Sequence, residues 1–398
     1  MDRITYDFEN IPCRFGTNSL KWDALESRYG HKDLLSMWIA DMDFCTPQFI
    51  IDALQERLHH AVLGYTMPGD EWSKAIIEWL NSRHNWRIDN NWLGFIPGIV
   101  RGIAFVIKAF TNPDDKVMVM SPVYHPFFHV AEDNGRCPEY CPLTIKDEQY
   151  YIDFNLFEER VKNCKIFILS NPHNPGGRVW TKEELQQMAS ICHKHNVIVI
   201  SDEIHADLTL KPYKHYPFAT VSKEAEECSI TFMSPSKAFN TPGIISSYSI
   251  VPNEAIREPF YNYMTASELN QGNLFAYIVP ATAYSERGTD WLDQVCEYIS
   301  DNIAFVENYL TNELPVLNMI RPQASFLIFL DCRKLELSQP ELENLFIEKA
   351  GLALNTGTMF GPEGKGFMRM NIATSRSTIL EALSMSTGRM RLPPNDNS

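Results

Sequence analysis

The strongest constraint on how this chain folds lies between about residues 98 and 250. Short apolar runs alternate there with stretches of helical spacing. "KVMVMSPVY", "KIFILSNPHNPGG", "NVIVISDEIHADL" and "CSITFMSPSKAF" each begin as a β-rich run and break at Pro, Asn, Gly or a charged residue. Between them, "PGIVRGIAFVIKAF" has helical apolar spacing behind Pro and Gly. "TKEELQQMASICHKH" opens with Thr181 and Glu184 in capping-box spacing. Strands with no polar face must be covered on both sides. Their alternation with helices predicts an α/β fold with a mostly parallel sheet between helical layers. In open sheets of this kind, ligands bind beyond the carboxyl ends of the strands. Tyr124, Asn174, Asp202 and Lys237 all fall just after the apolar runs, so these four residues are expected to meet in one crevice.

The flanks read differently. "DWLDQVCEYISDNIAFVENYLTNEL" has the pattern of one long helix, and "ASFLIFLDC" and "FMRMNIA" alternate like strands of a smaller sheet. The stretch before residue 48 has no strong period and is assigned to that smaller unit. The expected division is a small α+β domain from residues 1–47 and 286–398, and a large domain from 48–285. The tail "LPPNDNS" is expected to fray.

Composition removes several classes. Among 398 residues 44% are apolar, enough for a large core, and a formal charge of −15 disfavours nucleic acid. No apolar run approaches the roughly 18 residues that a membrane span needs. The start, "MDRITYDFEN", is acidic and polar, unlike a secretion signal. Nine scattered cysteines fit reduced thiols in a cytoplasm. Cys137 and Cys141 are closest together, but no partners complete a zinc set, so no metal is expected.

The residues at the strand tips suit one chemistry. A lysine amine kept from water is a nucleophile for carbonyls and forms Schiff bases. A carboxylate on a neighbouring strand can hold a protonated pyridine nitrogen, the pairing by which proteins tune pyridoxal 5′-phosphate. Asn174 can donate to a phenolate oxygen of the same ring, and Tyr124 can stack on its face. Ser234 and Ser236 flank Lys237, and the amides of "GIVRGI" at a helix start offer a site for the phosphate.

"SNPHNPGG", "SDEIH" and "SPSKAFN", in that order, resemble the fold-type I, pyridoxal-phosphate-dependent class I/II aminotransferase superfamily. "MWIADMDF", "LGYT", "SPVYHPF" and "DEIHADL" resemble more narrowly its cystathionine β-lyase branch of C–S lyases. The resemblance implies that Lys237 bonds the cofactor and moves the Cα proton, that Asp202 pairs with the pyridine nitrogen and that Asn174 binds the ring oxygen. It implies phosphate contacts from the Val100 and Arg101 amides and Ser234, and a clamp on the substrate carboxylate from Arg369, with Ala40 passing over it. Tyr65 matches a tyrosine that reaches the phosphate of the neighbouring subunit, implying a homodimer with shared sites. Two positions depart from the wider superfamily. His205 stands where many members carry tyrosine, and "NTPGIISS" lacks an arginine that many place near the phosphate; both departures fit the lyase branch.

The expected reaction is therefore β-elimination from L-cystathionine or a related cysteine S-conjugate. The alternatives are an aminotransferase for an amino acid or amino-alcohol phosphate, and a regulatory protein that keeps the fold to bind a partner. Each residue also has a plainer reading: Lys237 at the surface, Asp202 capping a turn with Glu203 exposed, Arg369 in a structural ion pair, and Tyr65 in the core. His125 and His129 read as packing residues; His193 and His195 end a helix, where the dipole favours cations.

Overall fold

The computed structural model describes residues 4–390, so the tail 392–398 lies outside the described residues. A seven-stranded sheet runs through the centre. Its strands lie side by side in the order Leu93–Ile96, Ser247–Ile250, Ser229–Met233, Ile198–Asp202, Cys164–Ser170, Lys116–Val119 and Cys137–Tyr140. Six of these point the same way; Ser247–Ile250 is antiparallel to both neighbours.

The apolar runs serve both faces of this sheet. Ile166 and Ile168 pack with Ile103, Val106 and Phe260 on one face. Phe167 and Leu169, one residue along, pack with Leu185 and Met188 on the other. Each such side chain, fully removed from water, stabilises the fold by about 1.5–3 kcal/mol. The helix Lys182–Lys194 begins with the capping box expected from Thr181 and Glu184. The helix Ile99–Phe110 starts after Gly98, whose φ of +107° suits glycine best.

The second sheet is antiparallel, in the order Asn318–Ile320, Leu327–Asp331, Phe367–Asn371 and Asn355–Thr356. The helix Glu286–Glu313 precedes it. The N-terminal stretch joins this part of the chain: Leu35–Ser36 pairs with Leu352–Ala353. On that basis we propose the division at residues 47/48 and 285/286. Among the described residues, no helix is long and apolar enough to cross a membrane.

Candidate active site

The parallel strands end where proline or a turn forbids further pairing. Ser229–Met233 stops before Ser234-Pro235, and Cys164–Ser170 before Asn171-Pro172, because proline lacks the N–H a ladder needs. Register then sets Ser170 beside Asp202, and Asp202 beside Phe232. Beyond these ends lies a cavity of about 440 Å³. Tyr124, Asn174, Asp202, His205, Ser234, Ser236 and Lys237 line it, with Ala40, Val100 and Arg101. All four strand-tip residues therefore converge as expected.

Lys237 is partly buried, and its Nζ donates to the Ala40 carbonyl. Desolvation pulls its pKa down to about 8, opposed by Asp41, while Arg369 pulls further down and Asp202 pushes up. About a tenth of this amine is thus neutral at pH 7, far more than of an ordinary lysine. The surface-lysine reading does not hold, because the strand end and Ala40 enclose the amine. Asp202, 7% exposed, accepts the Ile204 amide at 3.0 Å, so it does cap its turn. Burial nonetheless raises its carboxyl to about 7, a group that gains from a cation brought close. Glu203 is not the exposed partner of that turn. It is 1% exposed and takes hydrogen bonds of 2.8 Å from Ser201, His215 and the Phe218 amide. The strand carries it into the protein beneath the site.

Arg369 does not line the cavity but stands one bond behind it, donating to Asn174 Oδ1 at 3.2 Å. Its other partners are the Trp38 carbonyl at 3.1 Å and Asn355 Oδ1 at 2.7 Å. The guanidinium lies over the Phe360 ring, and its Nε is buried without a partner. Three neutral oxygens leave this cation, pushed down to about 10 by burial, without a neutralising carboxylate in its hydrogen-bond shell among the described residues. A structural ion pair is thus not its role, and a ligand carboxylate would complete it.

A helix start on the same cavity offers further donors. Ile99, Val100 and Arg101 open their helix, so their amides have no acceptor within it. Arg101 turns its side chain to the Pro97 carbonyl, leaving its amide as the relevant group. Ser234 Oγ lies 2.7 Å from the Ser246 carbonyl and 3.0 Å from Ser236 Oγ, so its single proton has two claimants. His205 Nδ1 is buried without a partner, and burial keeps the ring neutral, its pKa down to about 3. An amine that can add to an aldehyde, a buried carboxyl awaiting a cation and helix amides awaiting an anion together suit pyridoxal phosphate.

Tyr65 is not in the cavity of its own chain, nor in the core; it is 109% exposed. Sequence reasoning missed Asn355 and Phe360, which hold Arg369 and carry no motif that announces it. It also missed the roles of Asn240 and Asn371, both inside motifs it had singled out. Among the described residues, no group of three or more His, Cys, Asp or Glu could hold a metal ion.

Scaffold and lining together define an enzyme built around a reactive amine and an anion-binding helix start. The profile of the "Aminotransferase class I and II" family matches residues 32–385, and the chain belongs to that family. It is 41% identical over 379 residues to cystathionine β-lyase PatB of Bacillus subtilis (strain 168), covering 95% of this chain and 98% of that protein. Crystalline cystalysin of Treponema denticola, which contains pyridoxal 5′-phosphate, superposes with a TM-score of 0.93 at 34% identity, over 97% of this chain and 99% of that one. The pyridoxal-phosphate-bound C–S lyase of Staphylococcus hominis gives 0.90 at 31% identity, over 98% and 99%.

Proposed function

We propose that this chain is a pyridoxal-phosphate-dependent C–S β-lyase that cleaves L-cystathionine or related cysteine S-conjugates to a thiol, pyruvate and ammonia. The carrying observation is the convergence of Lys237, Asp202 and Asn174 in one cavity, in a chain 41% identical to a cystathionine β-lyase. When bound, the cofactor supplies the electron sink that lets a proton leave Cα.

The residues divide the work. Arg369, with Asn174 at its side, holds the substrate carboxylate and so orients the Cα–H bond. Lys237 takes that proton and, as an ammonium, delivers it to the departing sulfur. Asp202 would stay ionised and pair with the ring nitrogen. Tyr124 would stack on the ring, and His205 and Asn174 would offer it neutral donors. The amides of Val100 and Arg101, with Ser234 and Ser236, would hold the phosphate. Water then converts the released enamine to pyruvate and ammonia.

The protein is proposed to act as a cytoplasmic homodimer. Leu58, Val62, Leu63, Tyr65 and Met67 expose 48–109% of their surfaces along one short segment, an apolar strip suited to a second copy. Tyr65 would serve the partner's cavity.

The test mixes purified protein, pyridoxal phosphate and L-cystathionine without any 2-oxo acid. Pyruvate, ammonia and free thiol are expected at equal rates over many turnovers. Amino transfer that begins only when a 2-oxo acid is added would replace the lyase reading with an aminotransferase. No turnover with either, together with an unchanged phenotype in Lys237→Ala, would favour a partner-binding role.

A further inference from the structure

Behind Ala40, four charged side chains form a cluster, Lys21 and Asp43 buried and Arg14 and Asp41 half-buried. Arg14 grips Asp41 with a two-pronged contact, Nη2 to Oδ2 at 2.6 Å and Nη1 to Oδ1 at 2.9 Å, and reaches Asp43 at 3.1 Å. Lys21, 1% exposed, lies 2.9 Å from Asp43 and 3.9 Å from Asp41. Trp22 Nε1 adds a bond to Asp43 at 3.3 Å. The backbone of the same segment is pinned from two sides. Asn371 donates to the Ile39 and Asp41 carbonyls, both at 2.6 Å. Asn240, three residues beyond Lys237, bonds the Met42 amide and the Met42 and Phe44 carbonyls.

A largely buried network of ions is a costly way to fix a loop, since apolar packing of similar volume often does as well or better. What ions add is a fixed field. We propose that the Arg14–Lys21–Asp41–Asp43 cluster is a positioning device for Lys237: through Asp41 it holds the Ala40 carbonyl against the free amine and sets how firmly that amine keeps a proton. The inference rests on the reading of Lys237 as the working amine. The charged groups acting on Lys237 are Asp41, Asp202 and Arg369; His205, Tyr124 and Arg101 are the other titratable groups lining the cavity. Asp41 is the largest opponent of desolvation there. A base that must take the Cα proton and then hand it to sulfur needs both protonation states within reach. The cluster keeps the ammonium accessible while burial keeps the amine accessible.

The cluster is formally neutral, two cations against two carboxylates, and this gives its test a sign. Asp41→Asn leaves a net positive charge and lowers the lysine's proton affinity. Arg14→Gln leaves a net negative charge and raises it. Competitive acetylation of Lys237 across pH, read by peptide mass spectrometry on the full chain without cofactor, should show opposite displacements of the order of one pH unit. In the cofactor-loaded protein, Asp41→Asn should lower kcat with KM held within about two-fold, and Asp41→Glu should recover part of the loss. Displacements of the same sign, or none in either folded variant, overturn the proposal. If Asp41→Asn does not fold, Arg14→Gln decides alone, because an unmoved or lowered titration is fatal. Retention of covalent cofactor by Lys237→Ala would instead refute the reading of the site, and the titrations would still report on the cluster.

Discussion

Lys237 and Asp202 share a cavity, but burial moves them in opposite directions, the amine down to about 8 and the carboxyl up to about 7. Their substitutions should therefore fail differently. Lys237→Ala should lose all turnover and release its cofactor on dialysis. Asp202→Asn should keep the cofactor, as judged by visible absorbance, and lose about 10²-fold or more in kcat, because a neutral amide cannot hold a protonated ring nitrogen. Equal rates in Asp202→Asn and the parent would mean that another carboxyl holds the ring. At this scale the sequence was most readable where a residue sits at or just beyond a strand end, as these two do. It was least readable where function needs contact between distant residues. Arg14, Lys21 and Asp43 look like ordinary surface charges until the fold brings them together.

Among the elements, the turn after Cys164–Ser170 carries Asn174 and is tied to the C-terminal part of the chain. Gly177 accepts from the Gln323 and Ala324 amides, and Gln323 Oε1 takes the Val179 amide at 2.8 Å. Gly177 has φ of +65°, and a Cβ there would stand 2.4 Å from Pro322 Cβ and 2.9 Å from the Ala324 carbonyl. Gly177→Ala should cost about 1–3 kcal/mol, from left-handed strain plus displaced backbone, measured as a lower denaturant midpoint. A midpoint equal to the parent's would show that the turn relaxes freely. The apolar runs announced the parallel strands clearly. Ser247–Ile250 was harder to see, because half of it is serine. Ser249 is buried nonetheless, with its hydroxyl satisfied by the Gly94 carbonyl and Tyr261. A hydrogen-bonded hydroxyl is tolerated inside a sheet, and hydrophobic patterning does not register it. The stretch before residue 48 lacked a period because its regular elements are short, the helix Leu25–Tyr29 and the strand Leu35–Ser36, with side-chain bonds to backbone between them.

Taken whole, the molecule exposes a run of apolar side chains around Tyr65, which supports the proposed exchange of residues between two copies. Tyr65→Ala and Lys237→Ala should each be nearly inactive alone. Mixed in equal amounts and allowed to exchange subunits, they should regain about a quarter of parental activity, since half the dimers are mixed and each mixed dimer has one complete site. No recovery despite proven exchange would place Tyr65 outside the partner's cavity. The buried guanidinium of Arg369, surrounded by neutral oxygens, carries a consequence for handling the protein. A cation so placed suits small monocarboxylates in general, so formate or acetate in a buffer should compete with an amino acid for the same place. Rates compared across such solutions would then also depend on the solvent's own acids.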